Sequence, residues 1–574
     1  DAVALAGIRA AGRLGGDEAL TALIAALGGP HSDAAAQTLL AFNGRIDEGV
    51  VKALDGRGTM QVQALNLAAA RRIDAVADKV FALLDAPDAA VSEAAYRALA
   101  SIAAPADVDR LSRLLDTADA AHAGQLSAAL THAVRTLAPE KQYETVYARM
   151  SASPRPERYY PTLAQTGTQQ AIDCLVENFA GSRRAEAFDA LLRVEAPQIA
   201  GVLYTIAAGN PDLADRALTR YTACVAALDA TPVRKYQLYR RALELNPSAK
   251  VQNKLLKALA KTPEFPVLVL AVKYLDNPAT AETAALAVKT AAAKNPDMGG
   301  EIVASALKKA QEVYAELAKS DADAGYAVDE IKGLLAKLPA EGFVPASLAP
   351  EAWKAVAGDP NARRAMKPKA LAKAQQEADA AVAGTWNAAD GVLTGATGTP
   401  TLGSAKEYEN FCLIVEWKTD GEAGLGIRSI PQIALGGRNA GALTGNMLHE
   451  NTAPAAANRP GEWNTMEVRV VNDRVTVVLN GITTCNNVIL ENTCNREIPA
   501  YTEGQILLVG GTAPVSFREM YVRELPPTPR FELSPEEAAE GFEVLFDGTS
   551  MHKWTGNTTN YVPVDGTIYV TAQY

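Results

Sequence analysis

The chain has no excess of positive charge and no long apolar runs. Its 574 residues carry 55 Lys and Arg against 66 Asp and Glu, a formal net charge of −11. Because a nucleic-acid partner requires a basic face that neutralises phosphates, this balance argues against nucleic-acid binding. No run approaches the roughly 20 consecutive apolar residues of a membrane-spanning helix, so no membrane span is predicted.

Cysteines and histidines are also few, with five of each. Cys174 and Cys224 lie in apolar, helix-like surroundings and are predicted to be buried thiols. Cys485 and Cys494 stand in the loop-like stretch TTCNNVILENTCNRE and could either pair in an oxidising compartment or stay separate. Three histidines show no metal-ligand spacing and are predicted to lie in turns or on helix surfaces: His31, His122 and His132.

The first part of the chain, residues 1–337, repeats one design. An apolar helix ends in a short Gly, Asp or Pro turn and a second Ala/Leu helix follows, as in VFALLDAPDAAVSEAAYRALASI. Each such hairpin buries its apolar stripe only against its neighbours, which predicts a stacked α-solenoid. The pattern resembles the HEAT family of repeats, and that resemblance implies a docking surface for a protein partner. Leu-Asp pairs mark the turns at spacings of 30 (54 to 84) and 31 (84 to 115) residues: Leu54-Asp55, Leu84-Asp85 and Leu115-Asp116.

From residue 338 the composition changes. Residues 338–382 are predicted to form a helical linker with a solvated charged face. From residue 383 the apolar period becomes alternating, and short strands separated by Gly and Asn turns predict a sandwich of two antiparallel sheets over 383–526. The hairpin 459–481, RPGEWNTMEVRVVNDRVTVVLNG, is predicted to lie on the sugar-handling side. Its Trp, Arg and amide side chains suit sugars, because aromatic rings stack on pyranoses and polar groups bond their hydroxyls.

The strand segments resemble, in order, the 3-keto-disaccharide hydrolase domain, a family formerly of unknown function. The motifs that carry the resemblance are WNAADGVLTG, YENFCLIVEWKT, GLGIRSIPQI, RPGEWNTMEVRVVNDRVTVVLNG, NNVILEN and GQILLVGGTAPVSFREMYVREL. The resemblance covers about 140 residues. It implies a concanavalin-like (laminin-G-like) jelly-roll fold and action on sugars oxidised at the 3-position.

The reaction implied by this family follows from the chemistry of a 3-keto sugar. The ketone acidifies the hydrogen at C2, so that a base can remove it and the glycosidic oxygen at C1 can leave by β-elimination. Water then adds to the resulting enone. Such a site needs a general base, an electrophile or metal ion for the enolate, and an acid for the leaving oxygen. An ordinary glycosidase instead places two carboxylates about an oxocarbenium-like centre.

The resemblance also implies a set of site residues. Glu416, Arg428, Gln432 and His449 occupy positions where family members carry polar residues that face the sugar. Glu416 and His449 are the candidates for catalysis. The alternatives are an ion pair between Glu416 and Arg428 on the sheet, and a loop position without catalytic duty for His449. Trp463 is predicted to pack at the start of a strand.

Two departures from the family pattern predict that this copy is degenerate. Family members usually place an acidic residue shortly after the Gln-Ile pair, where this chain has Leu435-Gly436-Gly437. Many also carry a His-Gly step at the place where this chain has Gly510-Gly511. No cluster of Asp, Glu and His has ligand spacing here, and no metal ligands are predicted.

A second copy of the domain begins near the end of the chain. After a Pro-rich linker (527–534), residues 535–574 contain GFEVLFDGTSMHKW, which resembles the start of the same family. About 40 residues cannot close a jelly roll, because open strand edges would remain. We therefore expect the natural protein to continue with a complete second domain, the catalytic copy, which could hold a divalent metal ion. The opening DAVALAGIRAAGRLGG has no signal-peptide pattern and begins as though inside a helix, so we expect an upstream start as well.

These features together predict a carbohydrate-processing protein that cleaves 3-keto-glycosides or 3-keto-disaccharides by elimination and hydration. In this interpretation the first jelly roll is an accessory glycan-binding domain. The alternative is a non-catalytic glycan-binding or protein-docking scaffold built on the repeats. The resemblance implies the periplasm or cell surface of a bacterium.

Overall fold

Helices fill the first part of the chain. The computed structural model describes residues 2–446, 457–556 and 558–570. The chain divides into two compact units, Asp1–Ala227 and Leu228–Tyr574. The α-helices of the first unit are α1 (Ala2–Leu14), α2 (Gly16–Ala26), α3 (Ser32–Leu40), α4 (Asp47–Ala53), α5 (Thr59–Arg71), α6 (Ala77–Ala82), α7 (Ala89–Ile102), α8 (Val108–Thr117), α9 (Ala120–Arg135), α10 (Pro139–Ala152), α11 (Tyr160–Thr166), α12 (Gln169–Phe179), α13 (Arg184–Leu191), α14 (Ala200–Gly209) and α15 (Pro211–Ala227).

Helices of the first unit stack in the manner of a solenoid. Alternate helices contact each other, α3 with α5, α5 with α7 and α7 with α9. Buried alanines such as Ala64 and Ala68 of α5 and Ala94 and Ala98 of α7 lie within these helices, and their small side chains allow close approach. Each helix therefore buries its apolar stripe on near neighbours, which confirms the predicted helical array.

The second unit begins with more helices and ends in strands. Its helices are α16 (Pro232–Leu243), α17 (Ala249–Leu259), α18 (Phe265–Val272), α19 (Ala281–Lys294), α20 (Gly300–Leu317), α21 (Ala324–Ala336), α22 (Pro360–Ala365), α23 (Pro368–Val382) and α24 (Pro535–Ala539). Its strands are β1 (Val344–Pro345), β2 (Trp353–Ala355), β3 (Trp386–Ala389), β4 (Val392–Gly395), β5 (Leu402–Tyr408), β6 (Phe411–Thr419), β7 (Ala423–Gly426), β8 (Gln432–Leu435), β9 (Leu443–Thr444), β10 (Asn464–Val471), β11 (Arg474–Leu479), β12 (Ile482–Ile489), β13 (Gly504–Val509), β14 (Val515–Glu524), β15 (Tyr561–Val564) and β16 (Thr567–Val570).

Two antiparallel sheets form a sandwich, consistent with the predicted jelly roll. The first sheet has the order β12-β11-β10-β6-β14-β4-β3, with β1 paired to β14, and the second has the order β2-β5-β13-β7-β8-β9. Strands β1 and β2 come from the segment that the sequence pattern assigns to a helical linker, and α22 and α23 lie in the same segment. Strands β15 and β16 pair with each other in a separate two-stranded sheet.

Alternation along β6 shows how the strands build the core. Phe411, Leu413, Val415 and Trp417 are fully buried between the sheets. The intervening side chains point to the outer face of the first sheet, because successive residues of a strand face opposite sides. The outer face of this sheet therefore carries Cys412, Ile414, Glu416 and Lys418. None of the helices within the described ranges is long and apolar enough to cross a membrane.

The β10–β11 turn contains a carboxyl group with a raised pKa. Burial raises the pKa of Asp473 from 3.8 to about 6, although Arg474 lies 3.4 Å away and acts in the opposite direction. Because the folded state binds this proton more tightly than the unfolded state does, the group stabilises the fold below about pH 4. Its contribution is lost as the pH rises through 6.

Replacing Asp473 by asparagine should remove this part of the pH dependence. The free energy of unfolding of the wild type, minus that of Asp473→Asn, should fall by up to about 3 kcal/mol between pH 4 and pH 7. Urea unfolding of both proteins at intermediate pH values measures the difference. A difference that stays constant over this range would show that Asp473 titrates normally.

Candidate functional site

Glu416 lies inside the protein, against helix α16. Its side chain is buried on the outer face of β6. Tyr236 donates a hydrogen bond to Oε1 at 2.8 Å, Arg240 Nη1 donates to the same oxygen at 3.2 Å, and Arg518 Nε donates to Oε2 at 2.6 Å. Both carboxylate oxygens therefore accept hydrogen bonds from protein donors. This candidate catalytic residue has a structural role.

The ion pairs around Glu416 extend into a network. Arg240 also binds Glu519 at 3.0 Å, and Lys273 binds the same carboxylate at 2.8 Å. Burial by itself would lower the pKa of Arg240, but Tyr236, Glu416 and Glu519 around it raise it. Despite burial, Arg240 and Lys273 lower the pKa of Glu519 to about 2. Both groups are held in their charged forms, so this face of the sheet is fixed to the helices by ionic contacts.

The hairpin 459–481 is covered by the same helix. Gln237 of α16 donates to Thr465 Oγ1 at 3.0 Å and to Asn480 Oδ1 at 2.6 Å. Thr231, which caps α16, donates to the carbonyl of Asn480 at 2.6 Å. Trp463 packs its ring against the guanidinium of Arg518, 4.0 Å away. The predicted sugar-handling side of the hairpin is thus in contact with a helix, which is a correction to the sequence-based interpretation.

Arg428 is buried and holds backbone loops together. Its Nε donates to the carbonyl of Glu409 at 2.6 Å, and its Nη2 donates to Asn410 Oδ1 at 3.1 Å. Its Nη1 donates to the carbonyls of Asn472 and Tyr501. Burial lowers the pKa of Arg428 to about 10. The alternative pairing of Glu416 with Arg428 is therefore wrong, and Arg428 lines a cavity of only about 20 Å³.

Gln432, in contrast, lines an open cavity of about 670 Å³ on the outer face of the second sheet. This cavity, called here the sheet cavity, is bounded by β7, β8, β9 and the end of β13. It lies on the side of the sandwich opposite to Glu416, because the core separates the two outer faces. Its polar lining consists of hydroxyl, amide and carboxylate side chains: Thr399, Glu422, Gln432, Asn439, Thr444, Asn446 and Thr512.

The two departures from the family pattern meet in the sheet cavity. Leu435 and Gly436 line one part of it, and Gly510 and Gly511 line another. A Cβ atom at 511 would overlap the carbonyl group of Glu422, and one at 436 would overlap that of Gly421. At 436 the backbone also has a φ of +77°, which favours glycine. Larger side chains are thus excluded from both places without a backbone shift.

The remaining predicted residues have mixed outcomes. His449 lies outside the described residues. No disulfide joins Cys485 to Cys494: Cys485 is buried and its thiol donates to the carbonyl of Gly441 at 3.2 Å, whereas Cys494 is exposed. Cys174 and Cys224 are buried, as predicted.

The described lining of the sheet cavity does not have the donor set of a metal centre. Glu422 is the one ionisable side chain among its described lining residues. In the described part of the chain, no group of three or more His, Cys, Asp and Glu side chains could hold a metal ion. The described lining residues therefore do not fit a divalent cation.

Sequence reasoning missed several residues that the fold brings together. Glu422 and Asn439 lie in Gly-rich loops whose composition is typical of turns. The acidic Glu422 directly before a strand could nevertheless have been recognised from the sequence as a candidate site residue. Tyr236 and Arg240, the partners of Glu416, belong to a helix of the repeat region. Nothing in a local pattern links that helix to β6.

Residues 352–523 match the family model of the 3-keto-alpha-glucoside-1,2-lyase-like domain. This match confirms the resemblance for the sandwich. No curated protein matches the chain.

Among solved structures, similarity is distant. A protein of Parabacteroides distasonis ATCC 8503, described as a candidate glycosyl hydrolase, is 18% identical, with 31% of this chain and 89% of that chain covered and a TM-score of 0.23. The carbohydrate-binding module CBM66 of Bacillus subtilis is 14% identical, with 25% and 93% covered and a TM-score of 0.19. An engineered protein is 17% identical, with 58% and 100% covered and a TM-score of 0.25. Likenesses this distant carry no information about activity.

Proposed function

We propose that the sandwich is a carbohydrate-binding unit and that the sheet cavity is its binding site. The observation that carries this proposal is a cavity of about 670 Å³, lined by amide, hydroxyl and carboxylate groups, within the segment that matches a domain family named for a glucoside lyase. A cavity of this size holds a mono- or disaccharide, and such side chains bond sugar hydroxyls. The other outer face, around Glu416, is packed against α16.

Within this proposal the sheet cavity binds sugar and does not cleave it. Elimination from a 3-keto-glycoside needs a base, a group that stabilises the enolate and an acid. The described lining offers one carboxylate, Glu422, and neutral amides and hydroxyls. The protein as a whole is proposed to take part in the processing of 3-keto-glycosides at the periplasm or cell surface of a bacterium. The helical array is proposed to dock a protein partner.

Replacing Gln432 by alanine should weaken carbohydrate binding by about tenfold, since one or two hydrogen bonds to the sugar are lost. Isothermal titration calorimetry with a 3-keto-disaccharide and with its unoxidised parent measures the effect. Gln376→Ala is the matched control, because Gln376 is an exposed amide on α23 outside the cavity. Equal binding by the two variants would move the site elsewhere, and absence of binding by the wild type would refute the proposal.

A second candidate function, 3-keto-glycoside cleavage by this sandwich, is favoured by the family match of 352–523. Incubation of the chain with a 3-keto-disaccharide, followed by chromatography of the products, tests it. Under the binding proposal no turnover occurs. Turnover that disappears in Glu422→Gln or His449→Ala would instead assign catalysis to this copy.

A further inference from the structure

A second cavity, of about 380 Å³, lies between the helices of the second unit and the outer face of the first sheet. It is called here the groove cavity. Its helical wall comes from the start of α18, the turn after α19 and the segment before β1, and its floor comes from β6, β10, β11 and β14. The sheet cavity lies on the other sheet, so the proposed carbohydrate site does not account for this space. Its charged and aromatic lining residues are Glu264, Phe265, Asp297, Phe343, Glu467, Arg469 and Arg523.

A row of two guanidinium groups and a thiol crosses the floor of the groove cavity. Arg469 on β10 and Arg523 on β14 both pair in register with Cys412 on β6. Arg469 Nη1 lies 3.7 Å from the sulfur of Cys412, and Arg523 Nη2 lies 4.0 Å from it. Neighbouring strands are about 4.8 Å apart, so the two guanidinium groups flank the thiol from both sides. This row offers a place for an anionic group.

One carboxyl group lies in the next row of the sheet, and a second reaches the cavity from the helical side. Glu467 precedes Arg469 by two residues on β10, in register with Ile414 of β6. Glu264, from the helical side, lines the same cavity. Burial raises the pKa of both carboxyls, and repulsion by Glu264 raises that of Glu467 further. In the described part of the chain no ion pair joins either group to a cation, so a cationic donor between them would relieve an unfavourable arrangement.

We propose that the groove cavity binds a small zwitterion with an apolar body, of the size of a dipeptide. Its carboxylate would bind Arg469 and Arg523, its ammonium group would lie between Glu264 and Glu467, and its side chains would pack on Phe265. Two residues along a strand span about 7 Å, which is also the length of an extended dipeptide. The separation of the two charged rows therefore matches the separation of the charges in such a ligand.

The charges of the wall support a zwitterion over other small molecules. Three acidic side chains (Glu264, Asp297 and Glu467) and two guanidinium groups line the cavity, so that a simple anion would meet Glu467 and a simple cation would meet Arg469. Phe343 and Ile414 provide apolar surface in the same cavity. A ligand that carries both charges on an apolar frame satisfies all these groups together.

Cys412 provides a built-in reporter for this site. Its thiol is half-buried in the wall of the cavity, whereas Cys494 is exposed elsewhere. The rate at which iodoacetamide alkylates each thiol can be followed by mass spectrometry in the presence of L-leucyl-L-leucine. We expect saturating dipeptide to slow alkylation of Cys412 by about fivefold or more and to leave Cys494 unchanged. Calorimetry of the same titration gives the affinity independently of thiol reactivity.

Blocked peptides and charge-removing variants make the test specific. N-acetyl-leucyl-leucine and leucyl-leucine amide each lack one charge and should bind about tenfold or more weakly. We expect the variants Glu467→Gln and Arg469→Gln each to bind the free dipeptide more weakly, by a similar factor. Lys406→Gln, which breaks the exposed ion pair with Glu524, is the control and should change nothing.

Three outcomes would overturn the proposal. Equal binding of the free and the N-acetylated dipeptide would make the cavity a plain anion site. Protection of Cys412 by a disaccharide and not by the dipeptide would make it a second sugar site. Neither protection nor heat of binding at about 10 mM dipeptide would show that the cavity has no such ligand. The result is independent of sugar binding in the sheet cavity, because the two cavities share no residue.

Discussion

Replacing Glu416 by glutamine is expected to lower the free energy of unfolding of the sandwich by about 3–5 kcal/mol. The side chain of Glu416 is 2% exposed and that of Arg240, its partner at 3.2 Å, is 8% exposed. A glutamine side chain keeps the shape but removes the negative charge, so Arg240 and Arg518 lose the buried one of the two carboxylates that they share, and only the more exposed Glu244 still bridges them. Breaking one half of a buried ion pair costs far more than its net contribution, since the remaining charge stays out of water.

Tryptophan fluorescence during urea unfolding measures this change. All five tryptophans lie between residues 353 and 554, so the signal reports on the sandwich and its C-terminal segment. Lys406→Gln is the matched control, because the ion pair of Lys406 with Glu524 has side chains 56% and 57% exposed. Exposed pairs contribute about 1 kcal/mol or less.

Carbohydrate binding separates a structural from a catalytic role of Glu416. The folded Glu416→Gln protein should bind sugar as the wild type does, because Glu416 lies on the sheet opposite to the sheet cavity. A variant with unchanged stability and lost binding or turnover would contradict this assignment. It would return Glu416 to the role that the family resemblance implies.

Replacing Arg428 by lysine is expected to cost about 2–4 kcal/mol, although the charge is kept. The guanidinium of Arg428 donates to the carbonyl groups of Glu409, Asn472 and Tyr501 and to the side chain of Asn410. A lysine ammonium group is a point charge on a flexible stem and cannot reach acceptors arranged as a fork. At least one buried carbonyl would therefore lose its donor.

The same fluorescence-monitored urea unfolding measures the effect of Arg428→Lys. Arg438→Lys is the control, since Arg438 is exposed and its substitution should change the free energy of unfolding by less than about 0.5 kcal/mol. Arg428→Ala should be still less stable, because a cavity is added to the lost hydrogen bonds. Equal stability of the lysine variant and the wild type would show that charge alone, and not the fork, is required.

Local periodicity carried much of the fold prediction. The alternation in YENFCLIVEWKT predicts which side chains of β6 enter the core, and Phe411, Leu413, Val415 and Trp417 are indeed buried. The Ala/Leu repeats likewise predict an array of paired helices, since each helix has one apolar stripe to bury. In both cases the signal lies within about ten residues of sequence, which is the range over which backbone period and burial are coupled.

Local periodicity predicted less of the candidate site than of the fold. Tyr236 and Arg240 reach Glu416 across 180 and 176 residues of chain. The departures at Gly436 and Gly511 are far apart in sequence and meet in one cavity. A resemblance places Glu416, Arg428 and Gln432 together as sugar-facing residues, but the structure gives each a different environment, and only Gln432 lines the sheet cavity.

The sequence by itself determined the two kinds of architecture and the side of each strand that faces the core. The tertiary structure decided what covers the outer faces: helix α16 on the first sheet and an open cavity on the second. The physical reason is that a polar side chain pointing away from the core satisfies the same sequence pattern whether water or a buried partner completes its hydrogen bonds. Only the distant partners distinguish the two cases, and these are brought into contact by the fold.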